Sequence, residues 1–441
     1  MALSGIQIYK LLPKTNCKEC GFPTCLAFAM KLAAKQVELS SCPYVSEESK
    51  AELAESSAPP IRLVSVKADG HELKVGNETV LFRHEKTFYN RPGLFVRIKS
   101  SSNMDDVKSL VAKADKYSVN YVGMELEVDG FALEADNEES FGALVKTVRE
   151  LTKRPFILIG SSAALDAGLT NLSGESPLIY CATKENWESL ADIAIKYKTS
   201  LAVSGDSLDD LADLTDKLKQ KGCEDLVLDL GSDNLANNLE KSTQVRRLAL
   251  KKNFHALGFP TIFFAKGENG FDAVQAAQAI GKYSGFIVLD RFVPELFYPL
   301  LVLRQNIYTD PQKPIQVQPG IYEINSPTAE SPVLVTTNFS ITYFSVANEV
   351  EGSGLPAWLL VTDAEGMSVL TAWAAGKFDS ERIAKSVKEF GVADKVSNKR
   401  IVLPGHVAVL SGEVEEELPG WEIKVGPREA VDLPSFMKQA L

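Results

Sequence analysis

Through the middle of the chain short apolar runs alternate regularly with amphipathic stretches. The runs at 94–98, 121–126, 156–159, 178–181, 201–204, 226–230, 261–264 and 286–290 are rich in Val, Leu, Ile and Phe. Between them, segments such as 105–117, 139–151, 186–197 and 208–221 repeat apolar residues at helical spacing. Short apolar strands separated by amphipathic helices predict a parallel sheet covered by helices. Eight such units predict a closed (β/α)8 TIM barrel, with an open doubly wound sheet as the alternative.

A second, shorter βα series follows. Its strands are expected at 333–336, 358–362, 400–403 and 422–425, and its helices at 340–350, 367–375, 380–390, 407–416 and 429–439. Prolines 311, 314, 319, 327 and 332 precede it and predict an extended connector over 311–332. Residues 46–60 are polar, end in Pro59-Pro60 and read as a linker, and 61–82 reads as a short β decoration. The α/β chain therefore divides into 1–57, 61–310 and 326–441.

Chemistry in a barrel sits at the carboxyl ends of the strands. Glu125, Glu127, Ser161, Thr183, Ser204, Asp229, Lys266 and Asp290 are expected there. With no histidine cluster among them, they read as a scaffold or docking surface, and no catalytic residue is assigned. In the last domain the loops after the strands are Thr337-Asn338-Phe339-Ser340, 363–366, Pro404-Gly405-His406 and Gly426-Pro427-Arg428. Ligands of open sheets bind at such loops, but nothing in these names the ligand.

Composition narrows the class. The 441 residues carry a net charge of −11 without a Lys/Arg-rich run, which argues against a nucleic-acid partner. No window approaches a membrane-spanning length of apolar residues, and the first ten residues lack the pattern of a secretory signal. The expectation is a soluble, cytoplasmic chain.

Four of the six cysteines fall in the first 42 residues, as Cys17-x2-Cys20-x4-Cys25-x16-Cys42. Gly21 and Pro23 make the loop tight, and a helix is expected from Cys25 to about Leu39. Such a loop can turn N–H groups towards the sulfides of a cluster. A 4Fe–4S cluster needs four thiolates around one small cage, and this spacing supplies them. Structural zinc usually uses two close cysteine pairs, and the second pair is absent here. Unrelated core thiols are the third reading, and the one expected for Cys181 and Cys223.

The cysteine loop is similar to a four-cysteine iron–sulfur domain found in several electron-transfer proteins. With the order of the domains and the segment Thr336-Thr337-Asn338-Phe339-Ser340, the whole chain resembles the large-subunit family of corrinoid iron–sulfur proteins of the reductive acetyl-CoA (Wood–Ljungdahl) pathway. The resemblance implies a methyl carrier in anaerobic carbon fixation. Its last domain would be a doubly wound, Rossmann-like corrinoid-binding domain. A methyltetrahydrofolate corrinoid methyltransferase would supply the methyl group and acetyl-CoA synthase would receive it. A small corrinoid-protein subunit would complete a heterodimer. The 4Fe–4S cluster, on Cys17, Cys20, Cys25 and Cys42, would reduce cob(II) to cob(I). Domain motion on the 311–332 connector would carry the cofactor between partners, so stiffening that connector should slow methyl transfer.

Corrinoid contacts are then expected from Thr337, Asn338, Ser340, Thr342 and Val346, from Leu370, Thr371, Ala372 and Trp373, and from Gly405 and Leu433. Against this, Val346, Leu370, Ala372 and Leu433 are equally suited to core packing, Trp373 to covering the core and Ser340 to a helix N-cap. The Asp-x-His-x-x-Gly string of other corrinoid domains is absent. The cobamide is therefore expected base-off, with no histidine ligand, and His406 is not taken as one. Two other functions compete. A low-potential iron–sulfur electron-transfer protein with an unrelated C-terminal ligand domain would hold no cobalt. A pterin-binding barrel methyltransferase would bind folate by itself.

Overall fold

The computed structural model describes residues 5–33, 37, 39–46, 49, 59–121, 124–231, 234–310 and 315–440. The linker expected at 46–60 falls almost entirely outside them. The described chain forms two compact units, one of residues 1–117 and 128–308 and one of residues 118–127 and 309–441.

In the first unit a small N-terminal segment pairs the helices Gly5–Leu11 and Cys25–Ala33. Ile8, Leu12, Phe28, Ala29 and Val45 close a small core with Cys25 and Cys42 inside it. The helix expected to Leu39 is described only to Ala33, and Leu39–Ser41 is a separate 3-10 turn.

Eight parallel strands close a barrel: Gly93–Lys99, Gly130–Glu134, Phe156–Ile159, Leu178–Ala182, Ser200–Ser204, Leu226–Asp229, Thr261–Ala265 and Phe286–Leu289. Seven of them match expected runs. The second does not. Residues 121–126 are no barrel strand: Ser118–Tyr121 and Met124–Glu127 form an antiparallel pair that belongs to the other unit. The real second strand begins at Asp129-Gly130, a dipeptide that looks like a turn in sequence. Gly130 is needed there, because a Cβ would lie 2.2 Å from the Pro155 carbonyl and 2.5 Å from the Phe95 ring. The glycine clears room for a bulky side chain in the barrel floor.

Every strand sends a residue into that floor, among them Phe95, Ala132, Ile157, Leu178, Ala202, Val227, Ile262 and Phe286. The expected β decoration is a hairpin, Val64–Ala68 with His71–Val75, whose Val64, Val66, Leu73 and Val75 join the same cluster. It plugs the end where the strands begin, since Leu73 abuts Gly93 and Val75 abuts Gly285. Asn103, Ser161, Ser207 and Asn234 cap barrel helices through side-chain oxygens, satisfying first-turn N–H groups.

The second unit is built on a five-stranded sheet. Its order is Gly320–Ile324, Ala357–Thr362, Val333–Thr337, Arg400–Leu403, Glu422–Val425, with the first strand antiparallel and the others parallel. The strand Gly320–Ile324 corrects the expectation of a connector over 311–332. Prolines flank it without interrupting it, and an edge position tolerates them. Strand residues alternate between two apolar clusters. Val333, Val335, Ile401 and Leu403 meet the helix Ser380–Glu389 on one face, and Leu334, Val361 and Val402 meet the helices Ser340–Ser353 and Leu433–Ala440 on the other. A parallel sheet with both faces buried explains the unbroken apolar runs. Tyr121 and Met124 of the inserted hairpin pack onto the second cluster.

Candidate functional site

Two places in the molecule gather chemistry. The first is the cysteine loop. Lys14, Asn16, Lys18 and Gly21 all take left-handed φ values, between +50° and +84°. Residues that alternate in this way turn successive N–H groups to one side. Asn16 donates its N–H to Cys25 Sγ at 3.4 Å, and its side-chain Oδ1 accepts the Cys25 N–H at 2.8 Å. Cys25 and Cys42 are buried, Cys20 is half-buried and Cys17 is exposed. Among the described residues no three His, Cys, Asp or Glu side chains converge as tightly as one metal ion requires. The donor set is four thiols on one small loop-and-helix segment, two of them inside its apolar core and one receiving an N–H bond. That chemistry suits an iron–sulfur cluster, whose potential depends on such N–H···S bonds and on burial.

The second place is a cavity of about 550 Å³ in the C-terminal sheet unit, within the range of small-molecule and cofactor sites. It opens beside the neighbouring strands Val333–Thr337 and Arg400–Leu403. Chain order along the parallel strands reverses at this pair, since the next strand in sequence lies on the far side of Val333–Thr337. Helices leaving two such strands run to opposite faces and leave a crevice between them. Thr336, Pro404 and Pro427 line its base, Thr342, Ser345 and Val346 one wall, and Ser368, Val369 and Leu370 another. Ile341, Leu370 and Val431 rim it and are 65%, 45% and 67% exposed. Large apolar side chains left bare around a cavity mark a binding surface.

Thr336 and Thr337 are fully buried, and both hydroxyls lack a hydrogen-bond partner. An unmet buried hydroxyl costs stability. Gly405 has a steric reason. A Cβ there would lie 2.5 Å from the Gly426 carbonyl and 2.7 Å from Pro427, so only glycine lets the two loops stack.

Of the residues singled out in sequence, Thr342, Val346, Leu370 and Leu433 line the cavity, and Thr337, Asn338, Ser340, Thr371, Ala372, Trp373 and Gly405 do not. Ala372 is buried in the core under the sheet, whereas Thr371 and Trp373 are exposed beside Leu370 on the helix Val369–Ala374. Ser340 is the first helical residue and not the N-cap, which is Phe339. Asn338 has both amide hydrogens and its oxygen engaged. It donates to Asp363 at 3.0 Å and to Gln316 at 3.3 Å, and it accepts from the N–H groups of Ala364 and Gly366 at 2.9 and 3.0 Å. Ile341, Ser345, Glu349 and Val431 line the cavity and were missed. On their helices they look like ordinary surface residues. His406 also lines it, with Nε2 3.9 Å from Glu429 Oε1.

Glu125 and Glu127 end no barrel strand, because they belong to the inserted hairpin. Glu134 takes their place, and it and Asp290 both hold Arg97. Tyr180 donates to Asp229 at 2.5 Å. Burial, and then the nearby Asp229 charge, push the Cys181 thiol up to about 12, so it stays protonated. These groups satisfy one another. Among the described residues no helix is long and apolar enough to cross a membrane.

Known proteins align along the whole chain. The CO dehydrogenase/acetyl-CoA synthase delta subunit family matches residues 64–437, and an Fe–S cluster family matches residues 12–44. The chain is 41% identical over 445 residues to the "Corrinoid/iron-sulfur protein large subunit" of Moorella thermoacetica, with all of both chains covered. It is 32% identical to the "Acetyl-CoA decarbonylase/synthase complex subunit gamma" of Methanopyrus kandleri, covering 99% of this chain and 98% of that one. The subunit of the same description from Archaeoglobus fulgidus is 33% identical, with the same coverage.

Proposed function

Since the chain belongs to the corrinoid/iron–sulfur large-subunit family of the acetyl-CoA pathway, we propose that its C-terminal cavity holds a corrinoid and that the protein carries methyl groups. The methyl group comes from methyltetrahydrofolate through a methyltransferase and goes to acetyl-CoA synthase. A small subunit completes the working particle. The corrinoid supplies the methyl-accepting centre, and a 4Fe–4S cluster on Cys17, Cys20, Cys25 and Cys42 supplies single electrons to restore it.

One observation carries the reading: an apolar-rimmed cavity at the strand-order reversal of the second sheet. Val346, Leu370 and Leu433 offer apolar contact to a macrocycle or its tail, and Thr342 and Ser345 offer hydroxyls. Bare apolar side chains at the rim exclude water once the site is filled. Among the described residues, His406 in the cavity wall follows the third parallel strand, with Nε2 3.9 Å from Glu429 Oε1. The Asp-x-His-x-x-Gly string of other corrinoid domains is absent from the chain. The missing string supports reading the cofactor as base-off, without a histidine ligand.

Metal analysis with a visible spectrum on anaerobically purified protein tests the proposal. About one cobalt and about four irons per chain, with base-off corrinoid bands, are expected. Iron without cobalt, even after incubation with a cobamide, overturns the carrier reading in favour of electron transfer.

A further inference from the structure

Gln316 lies just after the chain enters the second unit for good, and it meets both loops that feed the cavity walls. Its backbone forms an antiparallel bridge with Phe339. On either side, Val317 N–H donates to the Asn338 carbonyl at 2.9 Å, and Ser340 N–H donates to the Ile315 carbonyl at 3.4 Å. Its side-chain oxygen accepts from Asn338 Nδ2 at 3.3 Å. The same side chain lies against Gly366, where a Cβ would come within 2.6 Å of it. Gly366 is left-handed, at φ +73°, and its N–H is held by Asn338.

The two loops diverge from this point. Residues 338–340 start the helix that carries Ile341, Thr342 and Val346 into one wall, and residues 363–366 lead to Ser368, Val369 and Leu370 in the other. Asn338 ties the loops together, and Gln316 fills the last hydrogen-bonding position of its amide. Without Gln316 that amide hydrogen is left unmet in a residue only 1% exposed.

We infer that Gln316 is a positioning residue for the corrinoid: through its hydrogen bond to Asn338 it sets the separation of the two cavity walls. The inference rests on the corrinoid reading above. Gln316 touches no cofactor itself and acts through the loops.

The test uses the full chain stripped of corrinoid and titrated with hydroxocobalamin by absorbance, followed by the electron paramagnetic resonance spectrum of the cob(II) form. Two variants are compared with the parent protein. Gln316→Ala removes both the acceptor and the contact with Gly366. Gln316→Met keeps the length and the contact but has no amide oxygen. Loss of one amide hydrogen bond should weaken uptake by about fivefold in both variants. The cob(II) signal should also shift, because the walls bear on the macrocycle. Unchanged uptake and an unchanged signal in both variants would overturn the inference while leaving the corrinoid reading intact. A defect in Gln316→Ala that Gln316→Met restores would also overturn it, reducing Gln316 to a filler. Failure of the parent protein to take up any corrinoid would sink the underlying reading itself.

Discussion

The Thr336 hydroxyl is buried without a hydrogen-bond partner. Replacing a buried, unbonded hydroxyl by a methyl group of the same shape is close to neutral or stabilising. Thr336→Val should therefore melt at the same temperature as the parent protein or higher when both lack cofactor. The same substitution should leave hydroxocobalamin uptake unchanged, because the hydroxyl is closed off from the cavity. A lower melting point without a change in uptake would show that the hydroxyl serves the fold. Residues of this kind are poorly legible in sequence, because lacking a partner is a property of three dimensions. Asn338 shows the reverse case. In sequence its amide resists a packing account, whereas in the fold it braces two loops with four hydrogen bonds. The cysteines are the legible extreme, since their spacing alone restricts the chemistry.

Elements are legible where period and length agree. Seven barrel strands and all four parallel strands of the second sheet follow from apolar runs. The strand Gly130–Glu134 was hidden by its turn-like start, and Gly320–Ile324 by the prolines around it. The charged supports under the barrel are equally hidden. Arg246 on the helix Leu235–Lys252 reaches Glu78 at 3.1 Å, with both side chains almost fully buried. Burial holds the Glu78 carboxyl above its ordinary value despite the Arg246 charge. Arg246→Met would strand that carboxylate and should destabilise the barrel by about 3–5 kcal/mol at neutral pH. The sign with pH follows from the raised value. Folded Glu78 keeps its proton to higher pH than the unfolded chain does, and more so once Arg246 is gone. The penalty in the variant should therefore shrink as pH falls towards the ordinary carboxylate range and grow as pH rises through the raised value. Thermal unfolding of the two proteins between pH 4.5 and pH 8, about the span where such a group titrates, checks both points. A penalty independent of pH would mean that Glu78 keeps the same protonation state in both folded proteins, and would overturn this account.

At the scale of the whole molecule, the order of cysteine segment, barrel and small sheet is legible because each has its own periodicity. The inserted hairpin is not, because residues 118–127 carry the same alternating pattern as a strand of the barrel that surrounds them in sequence. Met124 packs on the sheet cluster that contains Leu334 and Val361. Met124→Ala should therefore loosen the second unit by about 1–2 kcal/mol, less than a fully buried methionine would cost. Hydrogen exchange should quicken in the strands Val333–Thr337 and Ala357–Thr362 and stay unchanged in the neighbouring barrel strand Gly130–Glu134. Faster exchange in that barrel strand alone would contradict the placement.

The insertion also means that the chain passes between its two units three times, after Tyr117, after Glu127 and after Tyr308. A protease that cuts once at 309–310 does not set the last 131 or so residues free, because they still grip a hairpin that is covalently part of the other piece. Such a nicked protein would run as two bands on a denaturing gel and as one particle on a sizing column. The tail could be released only by a second and a third cut, or by unfolding the sheet that holds the hairpin.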